Sequence, residues 1–336
     1  MFELLGLSLL LAALLTFNSL ASLAIAGLWR VGGWLTSSWT AGSRARLLFS
    51  LRTLPALLAC LSVAFLLVPA YLAYEPRHSA ETVSVKLGLL ALISATGIAV
   101  SIYRAIATHR ATANLMSDWL SQGKPVEING IAIEAYQIEH TFPLIAIVGF
   151  LHPRLFIASQ VLEILTPEEI SAAVAHENGH LAARDNLKCG LLQACRDALL
   201  IIPSGRLLDR AWSEASEEAA DENAARQGNG VALDLASALV KIARNIPLGA
   251  RPTMPAGVFL LGDEKTKGIK CRVRRLIALA AIEYRPGSVS RYDVFKNLSI
   301  WVPASMLLST FVISATSPFL LSRVHYLIEH AVFALR

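Results

Sequence analysis

Charge is scarce in this sequence: 16% of its 336 residues are Asp, Glu, Lys or Arg, against 54% hydrophobic. That balance excludes an ordinary soluble domain and calls for a bilayer around part of the chain. Leu54 to Tyr74, Leu87 to Tyr103 and Leu298 to Leu321 contain no charged residue, and Phe2 to Trp29 contains only Glu3. A helix needs about 20 apolar residues to cross the hydrocarbon layer, so these stretches read as four transmembrane helices. The expected division is 1–110 with three spans (about 2–29, 54–74 and 87–103), a domain over 111–296, and a fourth span with a short tail over 297–336.

Other absences narrow the reading. No Lys or Arg precedes Arg30, and the first apolar run is about twice the roughly 7 to 15 residues of a secretory leader's core, so it reads as a span rather than a cleaved leader. No acidic residue lies between the first two spans, where Arg30, Arg44, Arg46 and Arg52 fall, whereas the next loop mixes Glu75, Arg77, Glu81 and Lys86. Arg104 and Arg110 follow the third span, and Lys270, Arg272, Arg274, Arg275, Arg285, Arg291 and Lys296 precede the fourth. The positive-inside rule then puts the first loop and the segment from 104 to 296 in the cytoplasm, with both termini outside the inner (plasma) membrane. The net charge of +5 needs no nucleic acid partner, since basic residues beside a bilayer meet anionic head groups. The four cysteines, Cys60, Cys189, Cys195 and Cys271, form no CxxC knuckle and read as packing residues. No internal repeat is present, so the segment between the third and fourth spans is expected to be one compact domain.

What is there begins with strands. "VEINGIAIEAYQ" places Asn129-Gly130 between two alternating apolar runs, a two-residue hairpin signal, and "LIAIVGFLHPRLFIA" repeats the pattern with a turn over Gly149 to Pro153. A helix then announces its start. Thr166 can cap it, Pro167 suits its first position, and Glu169 completes a capping box ahead of "ISAAVAHENGHLAARDNL". Gly179 is the weak helix former of this run, expected where a bulkier side chain would meet a neighbouring element or substrate.

That helix carries His176, Glu177 and His180, an H-E-x-x-H pattern. Imidazoles four residues apart project from one face and can share an ion, while the glutamate between them reaches a water on it. A hydrolytic zinc site needs a third protein ligand and an open fourth position. "SEASEEAADENAAR" offers two pairs one turn apart, Glu217 with Asp221 and Glu218 with Glu222, and periodicity does not choose between them. Arg184 and Asp185 are expected to pair with the core or with head groups, and His109, His140 and His152 have no partner at ligand spacing.

"HENGHLAARDNL", then Pro203, then "EEAAD" resembles the membrane-bound zinc metallopeptidases of the antirepressor type, whose best-known members sense β-lactams, and more distantly the CAAX prenyl proteases. Four spans with the peptidase between the third and fourth, and the "GFLHPRLFIAS" hairpin before the capped helix, look like the same layout. The resemblance implies an α-helical membrane protein carrying an α+β zincin-like cytoplasmic domain. It implies Zn2+ as cofactor, His176, His180 and Glu217 as its ligands, Glu177 as catalytic base, and Asp221 as a carboxylate supporting a ligand. The implied partners are a protein or peptide substrate, the lipid bilayer and a cytoplasmic transcriptional repressor. After the fourth span too little chain remains for the family's penicillin-sensing domain, which argues against direct β-lactam sensing.

The expected reaction is peptide-bond hydrolysis, with zinc lowering the pKa of water from about 15.7 towards about 7 and Glu177 moving the proton to the leaving amine. The "LIAIV" strand is expected to pair with an extended substrate. The runner-up is a catalytically silent membrane sensor or scaffold with a structural zinc site. Glu177 favours the enzyme, because a structural site needs no base. A transporter would call for ionisable residues within the spans.

Overall fold

The computed structural model describes residues 2–76, 82–199, 205–228, 230–246, 258–260, 266–281 and 305–335. Among the described residues three helices are long and apolar enough to cross a membrane, or four if a bent pair from Ser305 onward is one span: α1 (Phe2–Gly32) with a short 3-10 extension to Thr36, α2 (Ala41–Tyr74) and α3 (Val85–Gln122). Large apolar side chains such as Leu20, Leu28, Leu72, Leu92 and Ile102 stand exposed along them, the surface expected where the solvent is lipid. α2 passes through a π-helical stretch at Val63–Leu67. Pro69 lies just beyond it; it has no N–H for the ladder and its ring crowds the carbonyl four residues back, which a local widening relieves.

The third helix continues well beyond the stretch ending at Tyr103, so the domain junction expected at residue 110 lies inside a continuous helix. Its last turns carry Leu115, Met116, Trp119 and Leu120, which pack into the core of the sheet-bearing region. The fourth apolar segment is a broken pair of helices that together are long and apolar enough for the expected fourth span. Residues 298–304 lie outside the described residues, and from Ser305 onward the chain forms a pair of helices, α10 (Ser305–Ala315) and α11 (Pro318–Leu335), bent by 83° at the break between them. Ser317 Oγ accepts from Leu320 N and Pro318 occupies the first helical position, so a new helix starts there. α11 packs by Leu321, Ile328 and Val332 against Leu67 and Ala70 of α2, in place of the expected short tail. Arg285, Arg291 and Lys296 lie outside the described residues.

The five strands are β1 (Lys124–Pro125), β2 (Ala135–Ile138), β3 (Ile145–Val148), β4 (Arg154–Ala158) and β5 (Val258–Leu260), in the order β1-β2-β4-β3-β5. β3 and β4 form the expected antiparallel hairpin. Gly149 turns it at φ +113, where a Cβ would lie 2.9 Å from the His152 carbonyl oxygen. β2 joins β4 in parallel, and β1 meets β2 only at Lys124↔Gln137 and Pro125↔Tyr136. The chain does turn at Asn129-Gly130, with Gly130 at φ +91, but no two-residue hairpin forms there. Ile128, Ile131 and Ile133 pack against the core instead, and that burial outweighs ladder pairing across the turn.

Over the sheet lie α4 (Ser159–Ile164), α5 (Pro167–Ala183), α6 (Asp185–Asp197), α7 (Gly205–Ala225), α8 (Val231–Asn245) and α9 (Thr266–Ala280). The capping box of α5 is formed: Thr166 Oγ1 accepts from Glu169 N and Glu169 Oε2 from Thr166 N. Ala172 to Ala175 of α5 and Leu235, Leu239 and Ile242 of α8 close the core against Leu155, Phe156 and Ile157. α7 runs antiparallel along the first half of α2. Arg52 Nε donates to Asp209 Oδ1 at 2.9 Å, Arg44 pairs with Glu218, and Leu48 packs on Leu208, Trp212 and Ala215.

Candidate metal centre

α5 and α7 approach closely where Gly179 of the first faces Ala220 of the second. A Cβ placed on Gly179 would stand 3.0 Å from Ala220 Cα and 3.2 Å from Ala220 Cβ, so the glycine is required by the neighbouring helix rather than by space for a ligand. This approach brings Glu217, three residues before Ala220, to the two histidines. His176 Nε2 and His180 Nε2 are 3.2 Å apart. Glu217 Oε2 is 3.6 Å from the first and Oε1 is 3.5 Å from the second.

These separations test whether a metal fits. Four donors held tetrahedrally at about 2.0 to 2.1 Å from zinc stand roughly 3.3 to 3.4 Å from one another, the spacing of this trio. All three residues are buried, and their donor atoms lie close enough together to share one ion. Imidazole and carboxylate donors in this number suit a borderline divalent ion such as zinc.

Each imidazole is oriented from behind. His176 Nδ1 is 2.9 Å from Asp221 Oδ1, and His180 Nδ1 is 2.9 Å from Asp185 Oδ2. A carboxylate can only accept here, so each Nδ1 carries the hydrogen and each Nε2 is the ring nitrogen directed into the shared space. For Asp185 this corrects the expectation of a partner in the core or among head groups. It is buried and held by His180, by Ser216 Oγ at 2.6 Å and by Lys188 Nζ at 3.2 Å. Arg184 makes this possible: at φ 54 and ψ 43 it ends α5 in the left-handed region and turns Asp185 back towards His180.

A third buried group comes from α9. Arg272 donates from Nε to Asp221 Oδ2 at 3.0 Å and from Nη2 to Asp221 Oδ1 at 2.6 Å. Its Nη1 lies 2.8 Å from Glu217 Oε2, and its Nη2 is 3.4 Å from His176 Nδ1. The Glu217–guanidinium contact is an ion pair. In the sequence Arg272 is only one of several basic residues near a span, because nothing local marks a residue 96 positions from His176.

The groups of the site shift one another's proton affinities. Burial alone would lower His180, but the Glu217 charge and the Asp185 bond outweigh it and push it up to about 9. Burial lowers His176, with Arg272 adding to the effect against the pull of Asp221. Burial works against ionising Asp221, yet the Arg272 and His176 beside it hold its carboxyl well below the usual range. Burial, with the nearby Glu217 charge, pushes Glu177 up to about 8. Glu177 is buried and its Oε2 has no hydrogen-bond partner.

Glu218 and Glu222 face away from the histidines. Glu218 pairs with Arg44 and Arg275, and Glu222 accepts from Arg275 Nη2 at 2.5 Å. Beside His180 opens a cavity of about 270 Å3 lined by Ile147, Phe150, Leu151, Leu181 and Asn186. The edge of β3, expected to receive a substrate strand, is taken by β5 of the same chain, with Ile147 opposite Phe259. His140 Nδ1 accepts from Phe142 N and His109 stacks near Phe150; neither joins the centre. No family model matches the chain, and no curated protein does either.

Proposed function

We propose that the chain is a membrane-embedded zinc endopeptidase that hydrolyses peptide bonds at the cytoplasmic face, in regulatory cleavage of a repressor or of itself. One observation carries the reading: three buried donors, His176 Nε2, His180 Nε2 and Glu217, converge at zinc-ligand spacing, with the buried carboxylate of Glu177, whose Oε2 has no hydrogen-bond partner, close by in the helix of the two histidines. A purely structural zinc site would more often be closed by a fourth protein ligand and would need no base.

Bound there, zinc supplies a Lewis acid that polarises a carbonyl and makes water more acidic. The residues do the rest. Asp221 and Asp185 keep both Nε2 atoms facing the ion. Glu177 accepts the proton of the attacking water and returns it to the leaving amine. The β3–β5 pairing supports the self-cleaving branch, since β3 accepts an extended segment of this chain in antiparallel register. The basic loops support a centre on the cytoplasmic side.

The test compares wild type with Glu177→Gln in detergent, measuring bound zinc and cleavage of casein. Equal zinc in both, with cleavage only in wild type, is expected. Equal cleavage in both proteins would remove Glu177 from the reaction, and cleavage by neither would favour the silent sensor.

A further inference from the structure

Resting on the zinc assignment but not on proteolysis, we propose that Arg272 is a positioning residue of the metal centre, so that ion affinity depends on the docking of α9. The guanidinium touches two of the carboxylates that build the centre and no comparable group replaces it among the described residues. Its two hydrogen bonds to Asp221 fix the carboxylate that orients His176 Nδ1. Its ion pair with Glu217 holds the third ligand against the histidines. Removing it leaves Asp221 held by His176 Nδ1 alone and leaves the Glu217 and Asp221 carboxylates buried without the cation between them.

α9 is held in place by more than this residue. Leu276 is fully buried in the main core, and Arg275, one turn on, binds Glu218 and Glu222 on the other side of α7. Arg272 and Arg275 therefore anchor the same helix to the same partner, but only Arg272 touches residues that face the ion. This separates positioning from anchoring. By linkage, if Arg272 favours zinc binding, bound zinc must favour the docked position of α9 to the same degree.

The experiment strips the full-length protein of metal in detergent and retitrates it with zinc against a chromophoric chelator. Arg272→Met is expected to weaken zinc about 10- to 100-fold, the usual loss for a group behind a metal ligand. Arg272→Lys should recover part of that loss, and Arg275→Met should leave affinity within a few-fold of wild type. Zinc should slow hydrogen exchange at the amides of Thr266–Ala280 in wild type and not in Arg272→Met. Unchanged affinity in Arg272→Met, or an equal loss in Arg275→Met, overturns the proposal. If Arg272→Met does not fold, Arg272→Lys against Arg275→Met decides by the same comparison. A wild type that binds no zinc overturns the metal assignment and this inference together, whereas a zinc-binding wild type indifferent to Arg272 overturns this inference alone.

Discussion

His180 Nδ1 stands 2.9 Å from Asp185 Oδ2, across the left-handed turn at Arg184. The pair fixes the tautomer that offers Nε2 to a metal, and Ser216 Oγ, 2.6 Å from the same oxygen, ties it to the helix of the third ligand. Asp185→Ala is expected to weaken zinc by about 10- to 100-fold. Chelator competition measures this, and an unchanged constant would remove Asp185 from the support of the site.

Adjacent glutamates on α7 should behave oppositely. Glu217→Ala takes away a donor 3.5 Å from His180 Nε2, and the protein should purify without stoichiometric zinc. Glu218→Ala loses only its pairs with Arg44 and Arg275, so zinc should stay bound. Elemental analysis of the two purified variants decides, and metal retained in Glu217→Ala would refute the ligand set.

Gly179→Val tests the helix crossing. Its Cβ alone would fall 3.0 Å from Ala220 Cα, and a backbone atom yields only if α7 shifts. Overpacking of this kind costs about 1 to 3 kcal/mol. The melting temperature and the zinc affinity should fall together, because the shift that relieves the clash also withdraws Glu217. A variant that melts and binds zinc like wild type would show that the crossing has room.

Glu169 gives a pH-dependent prediction away from the metal. Burial raises its pKa, but Lys241 Nζ at 2.8 Å and Ser237 Oγ at 2.6 Å outweigh that and set it below the ordinary 4.5. A carboxyl lowered on folding contributes stability that is fully present above its unfolded pKa and is lost as pH falls through the folded value. Glu169→Gln keeps the cap geometry and loses the charge, so it should be less stable by about 0.5 to 1 kcal/mol at pH 7. The gap to wild type should close as pH falls below about 4.5. Denaturation at pH 7 and pH 4 reads both points; a gap that widens in acid would contradict the assignment.

Local pattern determined a good part of this protein. Apolar runs marked α1, α2 and α3, Thr166-Pro167 and Glu169 marked the start of α5, and four-residue spacing put His176 and His180 on one face, because each signal is complete within a few turns of chain. The choice of Glu217 over Glu218 was beyond that reach: both lie on α7, and only the Gly179–Ala220 crossing decides which one meets the histidines. Asp185 lay five residues from His180 yet became a partner through the backbone reversal at Arg184. Arg272 and β5 were less legible still. Their partners, His176 and the β3 strand, are remote in sequence, and burial of α9 and pairing across the sheet bring them together. Spacing along one helix specifies a direction for a side chain; only packing between elements specifies what waits there.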